Sequence, residues 1–366
     1  MNGIINKIID FDKKWSDPEY CLQEVKENGE MIKYVKIQTL EICSAAVEQD
    51  TYALKFAMIQ IPEICLTAVQ HDGWTLRYVK IQTSKICLTA VQQDGCALRY
   101  VIKQTPEICL AAVENKGIAL EYVVKQTPEI CLVAVQQDSF ALQFIENQTS
   151  EICLAAVQQS GLALVHVKNK TPEICLAAVK QDGLALSYII NQTPEICLAA
   201  VKQNGETLQF VKNKSPEICL AAVQQNGWAL KFVKIQTLEI CLEAVKKWGY
   251  ALESAKIQTP EICMTAVKQE PHALNYTRFQ TSEICLEAVK HDSETLQFVK
   301  NQTPEICIIS VKRDGELLQY VRHQTPEICA AAIKQNPGAY KFIKLPRAKV
   351  ERDKFLRELG FLLLSA

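Results

Sequence analysis

Fifteen cysteines, from Cys21 to Cys329, stand 22 residues apart with no insertion or deletion between them. They mark fifteen tandem repeats over residues 16–345, with a head of residues 1–15 and a tail of residues 346–366. A repeat this short can bury its apolar face only against its neighbours, so the period constrains the fold more than the length does. The chain has to form a stacked array. Its composition suits one: 48% hydrophobic and 22% charged residues with a formal net charge of -1 describe a globular protein. That charge balance exerts no pull toward nucleic acid or an acidic membrane surface. No apolar run approaches the eighteen or so residues of a membrane span, and MNGIINKIIDFDKKW lacks the long apolar stretch of a signal peptide. The expectation is a protein that stays in a cytosol.

With the periodic cysteine at position 6 of 22, the commonest text is Q-T-P-E-I-C-L-A-A-V-x-Q-x-G-x-A-L-x-F-V-K-N. Thr at position 2 suits an N-cap, Pro at 3 the first helical site and Glu at 4 the positive end of the helix dipole, so a helix A begins there. Asn-Gly or Asp-Gly at positions 13 and 14, as at Asn204-Gly205, supplies a left-handed residue to end it. Positions 16, 17 and 20, as in Ala229, Leu230 and Val233, make the inward stripe of a helix B with an aromatic beside it at 19. Helices of about ten and eight residues, roughly 15 and 12 Å long, are too short to stand alone. A leucine-rich repeat has a similar period, but its L-x-x-L-x-L-x-x-N text is missing. The pattern predicts an all-α fold: an α-solenoid of fifteen 22-residue helix-turn-helix repeats, closed by terminal capping helices at 1–15 and 346–366. Stacking at about 8 to 10 Å per repeat implies a contour on the order of 100 to 150 Å.

The cysteine ladder reads as packing. Equivalent cysteines one repeat apart, at about 8 to 10 Å, are too distant for a disulfide or a shared tetrahedral metal, and position 6 lies inside the apolar string I-C-L-A-A-V. The five histidines fall at scattered repeat positions, and no phosphate loop or nucleophile-base pair is recognisable. No catalytic residue, metal ligand, cofactor or small-molecule substrate is expected. Basic residues recur at position 21, from Lys36 to Lys344, which admits nucleic-acid binding as a lesser alternative; Glu at position 4 in fourteen of fifteen repeats balances them and favours a solvated face. Gln at position 1, in twelve repeats, is expected to bond to helix ends.

Positions 8, 11, 15, 18 and 22 vary from repeat to repeat. On an α-helix, 15, 18 and 22 share an outward stripe. Position 15 is apolar through seven successive repeats, including Tyr52, Trp74, Ile118, Phe140, Leu162 and Leu184, and again at Trp228 and Tyr250. Either this row anchors a protein partner, or each side chain tucks against the next repeat; Glu30, Glu206, Glu294 and Glu316 at the same position argue that burial is not obligatory. Around Gly249, Trp248 and Tyr250 depart from the consensus, and Pro271-His272 replaces a Gly turn, so a bend, a second contact site or simple drift is open there.

The text from Gln192 to Asn213 resembles an uncharacterised repeat family abundant in amoeba-infecting giant viruses and in some amoeba-associated bacteria. The resemblance implies a viral protein in a host cytoplasm or virion, and lends no functional residues because the family has no assigned activity. The expected function is a non-enzymatic scaffold that binds a host or viral protein; the alternative is a structural component of a virion or viral factory.

Overall fold

The structure, a computed structural model, describes residues 13–364. Those residues are helical, with no strand among them, and form a helical-repeat solenoid that divides into two compact units between Gln181 and Asp182. Helix A of each repeat is a ten-residue α-helix over positions 3–12, such as Pro106–Asn115 and Pro128–Gln137. Its start follows the expected chemistry. The Thr105 hydroxyl accepts the Ile108 N–H at 3.3 Å, Pro106 supplies the first helical residue and Glu107 the first-turn acid.

Helix B departs from expectation. Except for the five-residue Thr51–Lys55, it is a six-residue 3₁₀ helix over positions 14–19, such as Gly117–Tyr122, where an α-helix of about eight residues was expected. At about 2.0 Å per residue, six 3₁₀ residues span the same ~12 Å as eight α residues, so the layer keeps its thickness with a tighter coil. The period of three redraws the faces. Gly117, Leu120 and Val123 at positions 14, 17 and 20 line up inward and are buried. Positions 15 and 18 share the outward face, whereas position 22 lies beyond the helix, in the link to the next repeat.

The junction between the helices is one extended residue. Asp72, with φ near -146°, closes helix A by donating its N–H to the Ala68 carbonyl at 3.0 Å and opens helix B by accepting the Trp74 N–H at 2.9 Å. No described residue has positive φ, so the glycine at position 14 does not end helix A in a left-handed turn. Its role is close approach. A Cβ on Gly183 would lie 2.7 Å from the Ala200 carbonyl oxygen and 2.9 Å from Gln203 Oε1, and the bare glycine instead donates its N–H to that Oε1 at 2.8 Å. Pro271 fits the same geometry. It opens the 3₁₀ helix Pro271–Tyr276 after Glu270 at φ -141°, so no bend arises at this link.

Within each unit the repeats bury Ile, Cys, Ala and Val from helix A against Ala and Leu from helix B; Ile130, Cys131, Ala134, Val135 and Leu142 are all buried. Two glutamine ladders satisfy the backbone that stacking exposes. Gln104, at position 1, donates to the Tyr122 carbonyl at 2.7 Å, while its Oε1 accepts the Val124 N–H at 3.0 Å and lies 3.5 Å from the Cys109 thiol. Position-12 glutamines do the same on the other side, Gln181 reaching back to the Gln159 carbonyl at 3.3 Å. The cysteine is thus a small buried filler whose S–H points at a glutamine oxygen in most repeats.

The ends are closed by apolar residues. Trp15 is buried with its ring 5.5 Å from Tyr20 and 5.4 Å from Tyr34. Residues 1–12 of the expected amino-terminal cap lie outside the described residues. The tail forms the helix Lys349–Leu364, which packs on Pro326–Gln335 and buries Phe355 and Leu359. Among the described residues no helix is long and apolar enough to cross a membrane.

Candidate interaction surface

Two outward rows survive the packing, one on helix B and one on the links. The first is the position-15 row. Because the Asp or Asn at position 13 fixes the N–H of position 15, that side chain is projected from the start of helix B toward the following repeat. There it meets the ring at position 19 edge-on: Tyr52 with Tyr78 at 6.1 Å, Trp74 with Tyr100 at 5.8 Å, Phe140 with His166 at 5.8 Å and Tyr250 with Tyr276 at 6.2 Å. The predicted residues therefore form a ledge. Tyr52, Ile118, Phe140, Leu184 and Trp228 are only 37–42% exposed, and Trp74, Leu162, Trp248 and Tyr250 are less so. Basic residues at position 18 cover some ring faces: Arg77 lies 5.5 Å from the Tyr52 centroid and 4.7 Å from that of Tyr78, and Lys231 lies 4.1 Å from that of Trp228.

Trp74 is the most firmly held of the row. Its Nε1–H donates to Asp94 Oδ2 at 3.0 Å, and Lys116 Nζ reaches the same carboxylate at 3.3 Å. Desolvation, the largest single influence, pushes Asp94 up, but the Cys96 N–H, the Trp74 indole and the Lys116 ammonium together outweigh it and hold the carboxyl below its usual value. Replacing Trp74 by Ser should cost about 2 kcal/mol, since a ring contact and an indole hydrogen bond to a charged group both go; Phe140→Ser, with only a ring edge to lose, should cost about 1 kcal/mol. Chemical denaturation of the two single variants measures the difference.

Of the nine predicted residues, the structure brings three together. Trp228 and Trp248 lie 4.8 Å apart, and Trp248 and Tyr250 5.7 Å apart. Trp248 occupies position 13, where Asp or Asn normally caps helix B, and makes no capping bond. Giving up that cap costs about 1 kcal/mol, which leaves the aromatic cluster as what the substitution gains.

The second row was missed by sequence reasoning. Positions 21 and 22 lie in the extended link, where the consensus is Lys-Asn, yet the first five repeats carry an aliphatic side chain there: Ile37, Met58, Ile81, Ile102 and Val124, exposed by 67, 66, 77, 79 and 87%. The backbone beneath them is pinned by the position-1 glutamines, as at Met58, Ile102 and Val124. Apolar residues at position 21 or 22 of successive repeats were the available signal; reading position 21 as a basic row and position 22 as part of helix B hid it.

The basic row at position 21 is engaged with the backbone over much of its length. Lys80 Nζ donates to the Ala57 carbonyl at 3.2 Å, Lys212 to Ile190 at 2.8 Å, Lys256 to Lys234 at 2.8 Å and Arg322 to Lys300 at 2.7 Å. These bonds tie one link to the preceding one. All sixteen cysteines are free thiols, and burial raises the ladder thiols above their ordinary pKa. No group of three or more His, Cys, Asp or Glu residues placed to hold a metal occurs among the described residues.

Three segments, residues 84–123, 149–192 and 193–236, match the family model described as Domain of unknown function (DUF4116). The longer matches span 44 residues, two of the 22-residue repeats, so that model takes a pair of repeats as its unit. No curated protein matches the chain.

Proposed function

We propose that this protein is a non-enzymatic protein-binding scaffold of viral origin, acting in a host cytoplasm. The reading rests on one observation: five successive repeats hold an aliphatic side chain exposed by 66% or more in the link between repeats. Core packing does not require them, since three later repeats put Lys-Asn in the same place, at Lys168-Asn169, Lys212-Asn213 and Lys300-Asn301, and keep the same fold. A continuous row of exposed aliphatic residues on a rigid frame is a surface for association, and a solenoid repeats it at the spacing of its own stack. The viral setting rests on the resemblance of the repeat text to giant-virus repeats.

The test compares affinity capture from an amoebal lysate by the wild-type chain and by the triple variant Ile81→Ser, Ile102→Ser, Val124→Ser. All three side chains are exposed, so the variant should melt within about 0.5 kcal/mol per site of the parent. Proteins retained by the wild type should fall at least tenfold on the variant. An unchanged set of captured proteins would remove the row as the binding face. High copy number in purified particles, together with self-association of the chain, would favour a structural virion component instead.

A further inference from the structure

Building on the scaffold reading, we infer that the clefts between successive links receive an acidic peptide whose aliphatic side chains recur at every third residue. Between the links of the fourth and fifth repeats lies a cleft of about 380 Å³, walled by Ile102 and Val124, flanked by Lys103 and Lys125 and floored by Cys109. A neighbouring cleft of about 240 Å³ shares Ile102 and Lys103 and has Cys87 at its base. The second unit builds the same thing independently: about 370 Å³ bounded by Val211 and Ile235 with Lys212, Lys214 and Lys234 around it. Each cleft is lined by aliphatic side chains and at least one lysine, and none by a carboxylate.

That lining selects the occupant. An aliphatic side chain gains by entering an apolar cleft, and a carboxylate beside it gains from lysines that the lining itself leaves unbalanced. Successive clefts repeat at the stacking distance of about 8 to 10 Å. A polyproline II segment, with three residues per turn and about 3.1 Å rise, places every third side chain on one face about 9 Å apart. Its register matches the links. A nucleic acid would find lysines but aliphatic walls where bases seek aromatic faces, and a flat bilayer would touch the rims without filling the clefts.

The full-length chain is titrated into a fluorescein-labelled twelve-residue peptide repeating Leu-Pro-Glu, with anisotropy as the readout. Controls are twin peptides repeating Leu-Pro-Lys and Ser-Pro-Glu, and phosphatidylserine vesicles in a sedimentation assay. The Leu-Pro-Glu peptide should bind at least tenfold tighter than either twin, and the double variant Lys103→Glu, Lys125→Glu should weaken it at least tenfold with helicity and melting unchanged. Equal binding of the Leu-Pro-Lys twin, indifference to the double variant, absence of binding, or lysine-dependent binding to vesicles alone would each overturn the inference. If lysate capture depends on Ile81, Ile102 and Val124 while the peptide does not bind, the acidic partner falls and the scaffold stands. If both fail, both fall.

Discussion

Raising the pH from 9 toward 11 should strip several kcal/mol of stability from this protein, read as a melting temperature that drops steeply over that interval. The ladder thiols are buried in every repeat, and burial favours the neutral form, so their folded pKa values lie above the ordinary value of 9.0. Cys329 is pushed up to about 11, by burial first and by the nearby Glu327 charge second. Above pH 9 the unfolded thiols lose their protons while the folded ones keep theirs, so the folded state binds more protons and stability falls as pH rises, until the folded thiols titrate in turn. Below pH 9 the contribution is intact. For Cys329 alone, a gap of two pH units at about 1.4 kcal/mol each, with half of the folded thiol itself titrated at pH 11, gives about 2 kcal/mol by that pH, and the other ladder thiols act in the same direction. Melting in reducing buffers from pH 8 to 11 tests this, with the triple variant Cys131→Ala, Cys153→Ala, Cys285→Ala isolating the thiol share from lysine and tyrosine titration. The variant should start lower and fall less steeply. Parallel curves would show that the thiols do not drive the loss.

Gly183→Ala should destabilise by about 2 kcal/mol and Gly183→Asn by more, because the new Cβ overpacks a contact between backbones. The Ala200 carbonyl at 2.7 Å belongs to helix A of the next repeat and cannot rotate away, and opening the gap breaks the Gly183 N–H bond to Gln203. Ser139 shows the consequence within the same chain: it carries a Cβ at this position, and Gln159 in the partner slot keeps its backward bond to the Gln136 carbonyl at 2.9 Å but does not accept the Ser139 N–H. Asparagine separates two explanations. A glycine kept for left-handed backbone is replaced by Asn at little cost, since Asn tolerates that region. A glycine kept for close approach is replaced by Asn at greater cost than by Ala. Urea denaturation of both variants decides, with Gly360→Ala as the control. Gly360 lies in the tail helix with nothing near its Cβ, so alanine there should stabilise by about 0.5 to 1 kcal/mol.

The sequence by itself determined the repeat boundaries, the ten-residue helix A with its Thr cap and the inward set Ile, Cys, Ala, Val. It also determined the bonding of the position-1 glutamines to helix ends. The cap and the stripe follow from local chemistry, since a cap bonds three residues away and an apolar stripe follows from the period of one helix; the glutamines were legible as partners for helix ends, but the ends they reach, as Gln104 reaches Tyr122, stand 18 residues along the chain. It made the eight position-15 candidates visible as outward residues, but not the ring contacts of Tyr52, Trp74, Phe140 and Tyr250, because the ring that each of these four meets at position 19 belongs to the following repeat. What the tertiary structure decided depends on the distance between repeats. Glycine at position 14 reads the same whether it turns the chain or lets a neighbour approach, and only the Ala200 carbonyl across the interface distinguishes the two. The second helix reads as α or 3₁₀ equally well over six residues. The tighter coil carries Gly, Leu and Val of one turn spacing to a single inward face, where the neighbouring helix A covers them, and that same choice leaves positions 21 and 22 in the link, where the aliphatic row from Ile37 to Val124 is exposed.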